Sequence, residues 1–305
     1  MTGLVKVQNL DFSLVDKWIA FAQVKASSIK SYRKGLKNFA SYCANNSIAT
    51  ITRENLISYR EFLAGKYSPS TANLYLTATK LFLNFLNLEG YISTNPAQHI
   101  KGLKIVAGHK KDSLSVDMSK TILASFDTST LKGKRDKALY ALMVTAGLRT
   151  IEVVRANESD IVQKSGKIYL YVQGKGRNEK SECVEIARGV YKLIADYLAE
   201  RKNLNSDSPL FSSVSRRNFG GRLTTNSISR IIKGYMRLAG YNSKRLTAHS
   251  LRHSACTIAL QAGASLRQVQ QMARHSNIQT TTMYLHDLDR LNNNAESLVA
   301  DVFGI

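Results

Sequence analysis

Between Ser13 and Tyr91 apolar residues recur at three- and four-residue intervals, the signature of helices that bury one face. The spacing predicts a bundle of four helices. The first runs from about Ser13 to Lys25, with Leu14, Val15, Trp18, Ile19 and Ala22 on its apolar side. Ser27 or Ser28 can cap the second, which carries Tyr32, Leu36, Phe39, Ala40 and Cys43. Thr52, followed by Asn55 and Leu56, opens the third. Ser68-Pro69-Ser70 opens the fourth, where proline costs little because a first-turn N–H has no helical partner. That helix bears Leu74, Leu81, Phe82, Phe85 and Leu86. The run from Glu89-Gly90 to Asn95-Pro96 reads as a helix stop and a turn.

From Lys101 to Ser113 the chain is basic, contains glycine and loses its periodicity. This divides it into a helical domain at 1–103, a linker at 104–113 and a second domain at 114–305. Helices are expected there at about 115–126 and 132–147. Asp160-Ile161-Val162, Lys167–Val172 and Ser181–Ile186 then have the character of strands, and Gln173–Lys180 that of a charged, glycine-rich turn. Helices return to the C-terminus, interrupted by a polar stretch around Leu204–Thr225. The fold class is mainly α with a small antiparallel β-sheet.

Charge changes this picture from a fold to a class of partner. Lysine and arginine outnumber aspartate and glutamate 43 to 22, a net charge of +21. Up to residue 105 the net is +8 and beyond it +13, so both domains are basic and no single tail holds the excess. A polyanion, nucleic acid above all, is the expected partner. No apolar run is long enough to span a membrane, and MTGLVKVQNLDF is no signal peptide, so a cytoplasmic location is expected. Cys43, Cys183 and Cys256 are widely spaced and odd in number, which favours reduced thiols over disulfides or a zinc site.

Several residues could carry chemistry, and each taken singly has an ordinary explanation. Gly147 can end the helix before it, which leaves Arg149 at the start of the next. A guanidinium fork matches two phosphate oxygens, but pairing with Glu152 would explain Arg149 equally well. Lys175 lies in the Gly174-Lys175-Gly176 turn, at a hairpin tip. The GxxxxGK[ST] spacing of a nucleotide loop is missing there. In His249-Ser250-Leu251-Arg252-His253 the first histidine and the arginine share a helix face, an acid–base group beside a fixed cation. His253 is expected to point elsewhere and to pack. Arg274-His275 precedes Tyr284 by a turn and a helix start. The histidines 249, 253, 275 and 286 lack metal-ligand spacing and neighbouring carboxylates.

In their order and separations, Gly147-Leu148-Arg149-Thr150-Ile151-Glu152, Gly174-Lys175-Gly176, His249–His253 and His275–Tyr284 together resemble the tyrosine recombinase, or phage integrase, family. The resemblance covers roughly Ser13 to Val302 and is nearest to Xer-like enzymes without an N-terminal arm-binding domain. It implies a four-helix SAM-like core-binding domain followed by an α+β catalytic domain. It also implies that Arg149 and Arg252 clamp the scissile phosphate. Lys175 would protonate the leaving 5′-oxygen, His249 would assist proton transfer, and His275 would hydrogen-bond a phosphate oxygen. Tyr284 would attack, giving a 3′-phosphotyrosine. Neither metal nor nucleotide cofactor is implied. The implied partners are double-stranded DNA with an inverted-repeat core site and three further copies of the chain. These would exchange strands through a Holliday junction, with an accessory or partner recombinase in some systems. The segment from Leu291 to Ile305, with Leu298, Val299, Val302 and Phe303, would be a helical tail docking on a neighbouring protomer. One departure stands out: the family usually has glycine where this chain has Arg274, a side chain able to alter the turn or add a phosphate contact.

Two other readings remain at this point. A type IB topoisomerase-like enzyme shares the chemistry, but the N-terminal helices and the tail beyond Tyr284 favour a recombinase. A non-catalytic DNA-binding protein has no use for Tyr284 and Lys175 together.

Overall fold

A computed structural model describes residues 5–6, 12–22, 26–105, 112–174, 177–201, 205, 207–284 and 295–304. The chain divides into two compact units, Met1–Ala107 and Gly108–Ile305. In the first unit the helices are α1 (Phe12–Phe21), α2 (Ala26–Asn45), α3 (Arg53–Lys66) and α4 (Pro69–Leu88). A short antiparallel pair, β1 (Val5–Lys6) with β2 (Thr50–Ile51), is an addition that the helical periodicity gave no hint of. Thr52 caps α3 through a reciprocal box: Asn55 N–H donates to Thr52 Oγ1 and Thr52 N–H to Asn55 Oδ1. Pro69 takes the first turn of α4. The core gathers Trp18, Phe39, Tyr59, Leu63, Phe82 and Leu83. Trp18 stacks on Tyr32 and meets Phe82 edge-on. A Cβ on Gly35 would lie 3.1 Å from the Tyr75 Cα, so glycine inside α2 is what permits its close approach to α4. One expectation is corrected here. Phe82, Phe85 and Leu86 are buried, but Leu74 and Leu81 are 36% and 42% exposed, because α4 turns Tyr75, Leu76 and Leu83 inward in their place.

The second unit begins with α5 (Val116–Ala124), α6 (Leu131–Ala146) and α7 (Thr150–Arg155). From Ala138 to Val144 every side chain of α6 is buried, which makes it the central helix of the unit. A three-stranded antiparallel sheet follows, in the order β3 (Ile161–Lys164), β4 (Lys167–Val172), β5 (Glu182–Glu185). Ser165 and Gly166 both have positive φ, the backbone of a two-residue hairpin turn. Leu170 pairs with Val184 in the register, and both side chains enter the core. Next come α8 (Arg188–Leu198), α9 (Thr225–Leu238), α10 (Ala248–Gln261) and α11 (Leu266–Ala273). Residues 279–284 are helical and form α12. A last helix, α13 (Ala295–Phe303), occupies much of the expected tail, with Val299, Val302 and Phe303 exposed. The Leu298 side chain and most of the expected linker lie outside the described residues.

Candidate active site

The site is assembled where three helices end or begin. Gly147 closes α6 in the left-handed conformation, φ 59°, and this turn delivers Arg149 as the N-cap of α7. Glu152, one turn into α7 and fully buried, reaches back to it. Arg149 N–H donates to Glu152 Oε2 at 2.8 Å and its Nη1 donates to Oε1 at 2.9 Å. The ordinary explanation of Arg149, a pair with Glu152, is therefore part of the site. The two readings do not compete, because Glu152 is shared.

Arg252, on α10, is 1% exposed. Its Nη1 donates to the Gly147 carbonyl at 2.6 Å and its Nη2 to the Ala273 carbonyl. Those carbonyls end α6 and α11, so the guanidinium sits at the negative ends of two helices. Burial, then the charges of Arg149 and Arg274, push its pKa down to about 10, which leaves it charged at neutral pH.

Arg274 adopts the left-handed conformation, φ 54°, at the C-terminus of α11. For a residue with a Cβ this costs about 1–2 kcal/mol relative to the ordinary helical region. Its Nη2 donates to Glu152 Oε2 at 2.6 Å and its Nη1 to the Met272 carbonyl at 2.6 Å. Burial by itself raises the Glu152 pKa. The charge of Arg274, the Arg149 N–H and the charge of Arg149 outweigh it, holding the carboxyl below its usual range.

His275 is buried, with Nδ1 2.9 Å from Thr281 Oγ1. Burial, followed by Arg252, Arg149, Arg274 and His253, drives its pKa down to about 3, so the ring is neutral. Tyr284 lies parallel to it at 6.2 Å and is 4% exposed. Burial, and next the Cys256 thiol to which its hydroxyl hydrogen-bonds, raise the Tyr284 pKa. Arg252 and Arg149 oppose that rise.

Arg149, Arg252, His275 and Tyr284 thus come from four separate segments into one cluster. His249 is exposed at its margin, its ring 4.9 Å from that of His253. His253 in turn meets Tyr284 edge-on at 5.4 Å. The expectation that His253 points elsewhere is corrected: residues four apart share a helix face, and His253 stands between His249 and Tyr284. Lys175 lies outside the described residues. Sequence reasoning also passed over Cys256, for which the available signal was its place one turn after Arg252. Beside the cluster is a cavity of about 600 Å³ lined by Arg177, Arg267, Arg274, His275 and Ser276.

Residues 113–290 match the phage integrase family, and residues 18–90 match the phage integrase N-terminal SAM-like domain. The chain is 30% identical to the tyrosine recombinase XerD of Listeria innocua serovar 6a over 284 residues, covering 91% of this chain and 92% of that one. In fold it is similar to the XerH site-specific recombinase in a post-cleavage complex with a palindromic difH substrate. The TM-score is 0.72 at 23% identity, over 88% of this chain and 80% of that one. It is also similar to the lambda integrase of a tetramer bound to a Holliday junction. Here the TM-score is 0.65 at 17% identity, over 92% of this chain and 77% of that one. No helix among the described residues is long and apolar enough to cross a membrane. Matches to both domains, extending over most of the chain, show that it belongs to the phage integrase family of tyrosine recombinases, which act in site-specific DNA recombination.

Proposed function

We propose that the protein cleaves and rejoins DNA at an inverted-repeat core site, with Tyr284 as the nucleophile and a 3′-phosphotyrosine as the intermediate. The observation that carries this is the convergence of Arg149, Arg252, His275 and Tyr284 into one cluster, with the Arg149 guanidinium held by the buried Glu152 carboxylate. In this reading Arg149 and Arg252 bind the scissile phosphate and stabilise the added charge of its pentavalent transition state. On the same reading the Thr281 hydroxyl, 2.9 Å from Nδ1, is the donor, which leaves the proton of the neutral His275 on Nε2 to hydrogen-bond a phosphate oxygen. His249 assists removal of the Tyr284 proton, and Lys175 protonates the 5′-oxygen as it leaves. The phosphotyrosine conserves the energy of the broken phosphodiester, so religation requires neither metal nor ATP. Residues 1–103 bind the core site, 104–113 link, and 114–305 hold the chemistry. Four copies act on two duplexes through a Holliday junction, with the tail from Leu291 docking in trans. The exposure of Val299, Val302 and Phe303 and the tetrameric lambda integrase on a junction support this assembly.

Covalent trapping tests the proposal. The protein is mixed with nicked duplexes from the DNA flanking its own gene, in EDTA, and resolved on a denaturing gel. An adduct in wild type and none in Tyr284→Phe is the expected result. An adduct that persists in Tyr284→Phe would refute the assignment of the nucleophile. A recombinant product, in place of relaxed plasmid alone, separates this reading from a topoisomerase.

A further inference from the structure

Arg274 holds a left-handed backbone conformation, φ 54°, that glycine adopts at no steric cost and a residue with a Cβ rarely does. A side chain held there has a compensating contact, and the structure shows it: the guanidinium is buried and donates to Glu152. Glu152 Oε1 is taken by the Arg149 side chain, whereas Oε2 receives both the Arg149 N–H and Arg274. The same guanidinium lies 3.4 Å from the Gly147 carbonyl, which is also the acceptor for Arg252. Arg274 therefore ties the end of α11 to the start of α7, and it touches the anchors of both arginines assigned to the phosphate.

Charge gives this contact a consequence. If Glu152 faced Arg149 alone, the carboxylate would neutralise the group meant for the phosphate. Shared between Arg149 and Arg274, it leaves one positive charge uncompensated, and Arg252 adds another. Among the described residues the Arg274 Nε–H is buried and has no acceptor, so this cluster is short of anions before DNA arrives.

We propose that Arg274 is a positioning residue for DNA cleavage: by sharing Glu152 it leaves the charge of Arg149 to the scissile phosphate and fixes that guanidinium in place. This inference rests on the assignment of Arg149 to the phosphate and Tyr284 to the attack. Side chains that orient the ligands of a metal from behind typically change activity by about 10- to 100-fold when removed, and by analogy Arg274→Gly is expected to slow single-turnover cleavage within about that range. DNA affinity is expected to stay close to wild type, while the melting temperature is expected to fall, because relief of the left-handed backbone offsets only part of the lost buried ion pair with Glu152.

The readout that a structural role would not move is chemical rescue. Glycine opens a space of guanidinium size, so guanidinium ion added at sub-denaturing concentration is expected to restore part of the cleavage rate, and urea, its neutral analogue, is not. Arg274→Gln, which keeps a hydrogen-bonding side chain without the charge, is expected to be slow as well, and serves if the glycine variant melts below the assay temperature. Cleavage by either folded variant at the wild-type rate would overturn the proposal, as would rescue by urea equal to that by guanidinium. Absence of a Tyr284-dependent adduct in wild type would remove the underlying reading instead, so the two failures are told apart in one experiment.

Discussion

Glu152 is where the electrostatics of the site meet its stability, and Glu152→Gln isolates the contribution of one charge. The substitution keeps shape and one acceptor oxygen. What it removes is the one carboxylate hydrogen-bonded to Arg149 and Arg274 among the described residues. Arg252 and Arg274 are buried and Arg149 partly so, hence three guanidiniums would face one another without a counter-charge. Removing one partner of a buried ion pair costs about 3–5 kcal/mol, because an uncompensated charge stays behind. In a unit of this size each kcal/mol lowers the melting temperature by about 2–4 °C, which gives an expected drop of about 6–20 °C. The measurement is thermal unfolding followed by circular dichroism, in chloride and in sulfate at matched ionic strength. Sulfate can occupy a pocket that lacks its anion, so the drop should be smaller in sulfate. The sign with pH follows from the lowered Glu152 pKa. Its contribution is complete above the unfolded value, about 4.3, and is lost as pH falls through the lower folded value. Wild type and variant should therefore converge only in strong acid. A variant melting within about 2 °C of wild type in chloride would refute the view that this carboxylate holds the arginines together.

Tyr284→Phe should abolish covalent capture while gel-shift affinity and melting temperature stay near wild type, since the ring contacts with His253 and His275 need no hydroxyl. Arg252→Ala should slow cleavage by about 10²-fold or more, as loss of a transition-state donor does. It should also lower the melting temperature, because the carbonyls ending α6 and α11 lose their shared donor, and a melt at the wild-type temperature would contradict that burial. The His275 ring should show no imidazole titration by NMR between pH 8 and pH 5, and a midpoint near 6.5 would contradict its depressed pKa. By linkage, the part of the stability due to neutral His275 is complete above about pH 6.5 and declines as pH falls toward about 3, so a His275→Gln variant should flatten the acid limb of the stability profile.

Local physics made much of the fold readable. The Thr52 cap, the proline opening α4, Gly147 ending α6 and the span Lys167–Val172 of β4 all follow from interactions within a few residues of one another. Where neighbours in space are far apart in sequence, pattern was insufficient. On α4 the pattern picks out Phe82, Phe85 and Leu86, which are buried, but also Leu74 and Leu81, which are spaced as a helix face would be, as are the buried Tyr75 and Leu76 with Leu83. Spacing alone could not choose between the two series; the approach of α2 at Gly35 does. The β1–β2 pair is two residues long on each side, too short for any alternation to register.

The site divides along the same line. Residue types and their order pointed to Arg149, Arg252, His275 and Tyr284, and the folded chain joins them across separations that no local rule spans. Arg252 reaches the carbonyl of Gly147, 105 positions earlier, and Arg274 reaches Glu152 across 122. Those long contacts decide the electrostatics. Neutral His275, a Tyr284 hydroxyl that burial keeps protonated, and a carboxylate divided between two arginines are all results of packing α7, α10, α11 and α12 together. Arg274 shows the point most directly. From sequence it is a departure at a glycine position with two open outcomes, an altered turn or an added phosphate contact. In the fold its backbone keeps the left-handed turn that glycine would give, and its side chain turns inward to Glu152. A residue that breaks a local rule and is held by a buried charge contact is under tertiary control. The turn geometry is kept at a local cost while the guanidinium sits on the inside, against Glu152.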